Sequence, residues 1–161
     1  MKRRFLLALC MSVLSVSLFT QPALAAAPTL TIGLIPAEDA QAMLENSKQV
    51  ISSLQDQLGM PVKPFIATDY NGIIEALRAK KLDVAYLGPF AYVLASSVAN
   101  VEAFSVAETK KNGKSFYKSL IIVRKDSGIQ NIEQLKGQTM AFVDPTSASG
   151  HLFPSAGLRK N

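Results

Sequence analysis

Apolar and polar positions alternate between two rhythms along most of this chain. "LTIGLIP" (Leu30–Pro36) is a short apolar run closed by proline, the pattern of a buried strand. In the stretch that follows, Met43, Leu44, Val50, Ile51, Leu54 and Leu58 fall on one face of a helix, and Gly59 is its natural stop. "VKPFIA" (Val62–Ala67) reads as a second strand, placed at a sheet edge because Pro64 has no N–H to donate. Asp69 is positioned to cap a helix from Tyr70 to about Lys80, in which Ile73, Ile74 and Leu77 share a face.

"DVAYLGP" (Asp83–Pro89) is a third strand ending at a Gly-Pro turn, and Pro89 suits the first turn of a helix running to about Ser97. "VEAFSVAET" and "SFYKSLIIVRK" are β-rich, and the intervening "KKNGK", with Asn112-Gly113, predicts a hairpin. Asn131–Gln138 reads as a short helix stopped by Gly137. Thr139–Pro145 reads as a strand that leads through "DPTSASGH" into a further helix. The order β-α-β-α-β-α-β-β-α-β-α implies an α/β protein with a mainly parallel sheet. In such sheets ligands bind beyond the carboxyl ends of strands. Three of those ends carry distinctive chemistry: Pro36–Asp39, Leu87–Pro89 and Asp144–His151.

The first residues stand apart from this pattern. Lys2, Arg3 and Arg4 precede an apolar run from Phe5 to Phe19, then come Pro22 and Ala23-Leu24-Ala25. This is the layout of a secretory signal peptide cleaved near Ala25, and the apolar run is short for a membrane span. Cys10 lies too early in the run for a lipoprotein signal, and it is the only cysteine of the 161 residues. The expected mature chain therefore depends on its core rather than on disulfides. Three of the 17 basic residues lie in the leader, which leaves 14 against 12 acidic ones. No basic stripe interleaved with aromatics is present, so nucleic-acid binding is not expected. No second apolar stretch is long enough to span a bilayer, so stable membrane insertion after signal cleavage is not expected either.

Composition narrows the chemistry of Asp144–His151. A Ser-His-Asp triad can be drawn from Ser147 or Ser149 with His151 and Asp144, but the elbow pattern G-x-S-x-G is absent. Ser149 and His151 are two residues apart, so at a helix start their side chains diverge. With one histidine and scattered carboxylates, no metal-ligand spacing exists, and no cofactor is expected. The remaining readings are a helix cap from Ser147 or Ser149, or an anion cup. In the cup, first-turn N–H groups, small residues and two hydroxyls would face a phosphate-like group. Tyr70 and Tyr117 each offer an apolar body with a polar tip near strand or helix ends.

Two segments, "ATDYNGIIEALRAKKLDVAYLGPFAYVLA" and "YKSLIIVRKDSGIQNIEQLKGQTMAFVDPTSASGHLFP", resemble the periplasmic substrate-binding proteins of phosphonate, phosphite and phosphate ABC importers. The most specific parts are D-Y-x-G-I-I at Asp69–Ile74 and D-P-x-S-x-S-G at Asp144–Gly150. The resemblance implies a two-lobed, Venus-flytrap protein of the type II periplasmic-binding class. It would capture a small phosphorus oxyanion without catalysis and deliver it to an importer permease. By position it implies a ligand site of Tyr70, Tyr117, Ser147, Ala148, Ser149 and Gly150, with His151 beside them. Ala148 stands where the family usually has threonine, which removes one hydroxyl. The resemblance further implies a signal peptide at 1–25, a first lobe at 26–124, and a hinge with the start of a truncated second lobe at 125–161. On that division the chain is expected to bind phosphonates poorly, because a clamp closes around its ligand with both lobes. The alternatives are another small-anion binding or sensor module, or an exported Ser/His hydrolase.

Overall fold

The computed structural model describes residues 27–108 and 113–160. The leader and Asn112 of the expected hairpin turn lie outside them. Three parallel strands form one sheet in the order β2-β1-β3: β1 (Leu30–Leu34), β2 (Val62–Ile66) and β3 (Val84–Tyr86). β1 pairs with β2 from Leu30↔Val62 to Leu34↔Ile66, and with β3 from Ile32↔Val84 to Leu34↔Tyr86. β2 is at the edge, as Pro64 requires. The Asp83 carboxylate extends the β1–β3 pairing, because its Oδ2 accepts the Thr31 N–H at 2.7 Å.

The helices that join these strands are set by their ends. α1 (Ala40–Leu58) is capped by Asp39, whose Oδ1 accepts from Gln41 and Ala42 N–H, and it ends at Gly59 with φ 64°. That left-handed φ is what glycine tolerates and other residues resist. α2 (Tyr70–Arg78) is capped by Asp69, which accepts the Gly72 N–H at 2.7 Å. α3 (Pro89–Ala99) starts with Pro89 in its first turn.

The core lies around α2. Ile73 is fully buried, and Ile74, Leu77, Leu82, Ile35, Ala91 and Ala95 surround it. Burying one such aliphatic side chain contributes about 1.5–3 kcal/mol. Gly33 permits the close approach: a Cβ there would stand 2.6 Å from Leu82 Cδ1 and 3.2 Å from Ile73 Cγ2. α1 contributes less than its apolar stripe suggests. It packs against β2 but has no buried residue, and Val50 and Leu58 are half exposed or more.

Beyond α3 the expected elements are largely not formed. Residues 101–108 and 116–124 carry no strand ladder, so the predicted hairpin arms are not paired as a sheet. Thr139–Pro145 is not a strand either. The Asn131–Gln138 helix is reduced to one 3₁₀ turn, Glu133–Leu135, followed by Gly137 at φ 78°. These segments have β-type or helical residues, but a strand needs a neighbour for its N–H and C=O groups. Among the described residues, Val143 N–H finds only the carbonyl of Gly150, at 3.1 Å. Order returns at a π turn, Ala148–Leu152, that runs into α4 (Phe153–Leu158).

Candidate functional site: a small-residue turn against the start of α2

The two motifs singled out in the sequence meet in space. The Asp144 carboxylate accepts the backbone N–H of Tyr70 at 3.2 Å, across 74 residues of chain. Its other oxygen accepts the Thr146 N–H at 2.8 Å and the Thr146 hydroxyl at 2.6 Å. Tyr70 is the first residue of α2, so its N–H has no partner inside the helix. A carboxylate there also sits favourably on the helix dipole. The sequence offered Asp144 only as a member of a possible triad, and it did not single out the buried Thr146. The D-P-x-S pattern offered a signal, but nothing local pointed to α2.

Burial would raise the Asp144 pKa. The hydrogen bonds from Thr146 and Tyr70, together with nearby His151, outweigh it and hold the carboxyl below its ordinary value. The phenol of Tyr70 moves the other way. Burial raises its pKa, as do the neighbouring Asp144 and Tyr117, against a side-chain hydrogen bond with Ser147 that lowers it. Tyr70 thus stays a neutral phenol, able to donate a proton in a hydrogen bond.

Ser147 caps the turn: its Oγ accepts the Gly150 N–H at 3.1 Å. Its carbonyl accepts from both His151 N–H at 3.2 Å and Leu152 N–H at 3.0 Å, which widens the turn into π geometry. Such widened turns are frequent at functional sites. Gly150 makes the widening possible, because a Cβ there would lie 2.5 Å from Val143 Cγ2. A second strut comes from Ser119, whose hydroxyl donates to the Ser149 carbonyl at 2.6 Å. The cap and the cup are therefore compatible. Ser147 spends its acceptor on the cap, while the first-turn N–H groups of Ala148 and Ser149 precede the intrahelical bonds.

Of the other expected residues, Tyr117 is more than half exposed. It lies with Tyr70 in the wall of an open concavity of about 900 Å³ at the carboxyl ends of β1 and β3. Tyr86 and Tyr92 line it as well, so all four tyrosines of the chain face this space. The signal for those two was their place, at the end of β3 and in the first turns of α3. The Ser147–His151 turn is not part of that wall and joins it through Tyr70.

His151 is turned to a structural task. Its Nδ1 is 3.2 Å from the Val143 carbonyl, and its ring lies 4.9 Å from that of Phe142. No serine hydroxyl among the described residues is hydrogen-bonded to it, so the nucleophile–base contact of a hydrolase is not assembled. No group of three or more potential metal ligands occurs among the described residues. No helix among them is long and apolar enough to cross a membrane.

A parallel α/β unit with tyrosines gathered beyond its strand ends has the layout in which open α/β sheets bind ligands. Comparison with known proteins makes that class specific. The family model for the phosphonate ABC transporter periplasmic substrate-binding protein matches residues 32–161, and the chain belongs to this family. The phosphate-import protein PhnD of Mycolicibacterium smegmatis (strain ATCC 700084 / mc(2)155) is 35% identical over 132 residues, covering 81% of this chain and 41% of that protein. The phosphonates-binding periplasmic protein of Escherichia coli (strain K12) is 34% identical over 129 residues, covering 78% and 38%. The chain thus spans about two-fifths of the length of these curated relatives.

Among solved structures, the binding protein component of an ABC phosphonate transporter from Pseudomonas aeruginosa superposes with a TM-score of 0.72 at 32% identity. The match covers 80% of this chain and 43% of that one. PhnD1 from Prochlorococcus marinus (MIT 9301), solved in complex with methylphosphonate, shares the fold at a TM-score of 0.58 and 21% identity, over 82% and 50% of the two chains.

Proposed function

We propose that this chain captures a phosphorus oxyanion (phosphonate, phosphite or phosphate) as the substrate-binding component of an ABC importer in the periplasm. The observation that carries the reading is the tie between Asp144, which leads into the Ser147–Gly150 turn, and the backbone N–H of Tyr70 at the start of α2. Backbone N–H groups of Ala148 and Ser149, the Ser149 hydroxyl and the Tyr70 phenol then converge as neutral donors. Such donors hold an anion without a fixed cation. Tyr117, exposed in the concavity, closes over the ligand, and His151 supports the turn from behind. The division is a signal peptide at 1–25, a first lobe at 26–124, and a hinge with the opening of a second lobe at 125–161. The ligand is passed to the permease unchanged, so the site needs no nucleophile.

The test is titration of the ¹⁵N-labelled full chain with methylphosphonate, phosphite and phosphate. The expected result is a shift of the Ala148 and Ser149 amides at millimolar ligand. Amides that stay unmoved for all three anions would sink the reading. Turnover of an ester that Ser149→Ala abolishes would replace it with the hydrolase.

A further inference from the structure

We propose that Asp144 is the positioning residue of this site, setting the turn and Tyr70 relative to each other before any ligand arrives. The inference rests on the oxyanion reading above. Its two carboxylate oxygens work on different elements. One holds the first N–H of α2 through Tyr70, and the other holds the start of the turn through the Thr146 N–H and hydroxyl. The Asp144 carbonyl adds a third hold, accepting the Ser147 N–H at 2.8 Å. A single side chain thereby fixes both the backbone that carries the Tyr70 phenol and the backbone that carries Ala148 and Ser149.

The tie has a second effect on recognition. The N-terminus of α2 is itself attractive to anions. Asp69 already occupies the Gly72 N–H, and Asp144 occupies that of Tyr70. With those two donors taken, the start of α2 competes less with the Ala148 and Ser149 amides for an anion. The titratable groups facing Asp144 are few: His151 near its carboxylate, and Tyr70, with Tyr117 beyond it. Ordering the donors in advance lowers the cost of binding, because the ligand does not have to organise them.

Amide shifts of the ¹⁵N-labelled full chain, followed against pH without ligand, test the tie directly. Tyr70 and Thr146 amides should titrate together, with one midpoint below the ordinary carboxylate range. Both should lose that titration in Asp144→Asn. Separate midpoints, or a Tyr70 amide indifferent to pH, would overturn the proposal. With methylphosphonate, Asp144→Asn should need about tenfold more ligand to shift the Ala148 and Ser149 amides, the effect of losing one charged hydrogen bond. Asp126→Asn, on the surface beside Arg124, should need no more than the parent chain.

Unchanged ligand demand in a folded Asp144→Asn chain also overturns the proposal. If that variant does not fold, the joint titration of the parent chain decides alone. If the parent chain shows no anion-dependent shift, the oxyanion reading fails while the pH titration still decides the tie.

Discussion

Residues 30–99 and residues 101–145 are built from similar sequence material and end up differently. Both contain apolar runs of strand length, such as "LTIGL" in the first and "SLIIV" in the second. In the first region every run has a parallel neighbour and a helix laid across it, and Ile73 is fully buried. In the second, Phe104 and Ile122 are more than four-fifths exposed, and residues 101–108 and 116–124 form no ladder. Strand propensity describes fitness for a half-buried surface, and it cannot supply the neighbour. The second region is held instead by side chains at particular points: Ser119 on Ser149, Asp144 on Tyr70, His151 on Val143.

The contrast can be broken by paired truncations. Ile73→Ala should cost about 2–5 kcal/mol in urea unfolding, while Ile122→Ala should fall within about 0.5 kcal/mol. Equal losses would mean that the second region is packed in solution. Gly150→Ala forces a Cβ against Val143 and should cost about 1–3 kcal/mol, with loss of protection at the amides of residues 150–152. The two caps compare the regions more gently. Asp69→Ala should lower stability by about 1 kcal/mol, and Ser147→Ala should do the same only if its turn is cooperative with the core.

Asp144 adds a pH dependence. Its folded-state pKa is depressed, so its contribution to stability is present above the ordinary carboxylate pKa. It is lost as pH falls through the folded value. Acid unfolding of Asp144→Asn should lack that component. The smallest effect is expected at Arg124, paired with Asp126 on the open surface, where Arg124→Ala should leave the urea midpoint unmoved.

Much of the first region was legible along the chain because its signals are local. Asp39, Asp69, Gly59 and Pro89 mark helix ends through bonds and φ values that involve only the next few residues. Pro64 assigned β2 to the edge for the same reason. The site was legible only in part. Ser147 and Gly150 announced a polar turn before a helix, and Tyr70 a helix entrance, but the tie between them runs through Asp144, 74 residues from Tyr70. Tyr86 and Tyr92 were not singled out along the chain, and the apolar stripe of α1 promised more burial than β2 provides.

The sequence by itself determined where α2 and α3 begin and where α1 stops, which strand could lie at an edge, and that a small-residue turn follows Asp144. Tertiary structure decided which β-type segments pair and that Asp144 reaches Tyr70. The reason is range. A cap or a turn is satisfied within three residues, whereas a ladder or a carboxylate joining two distant backbones depends on what the rest of the chain brings alongside.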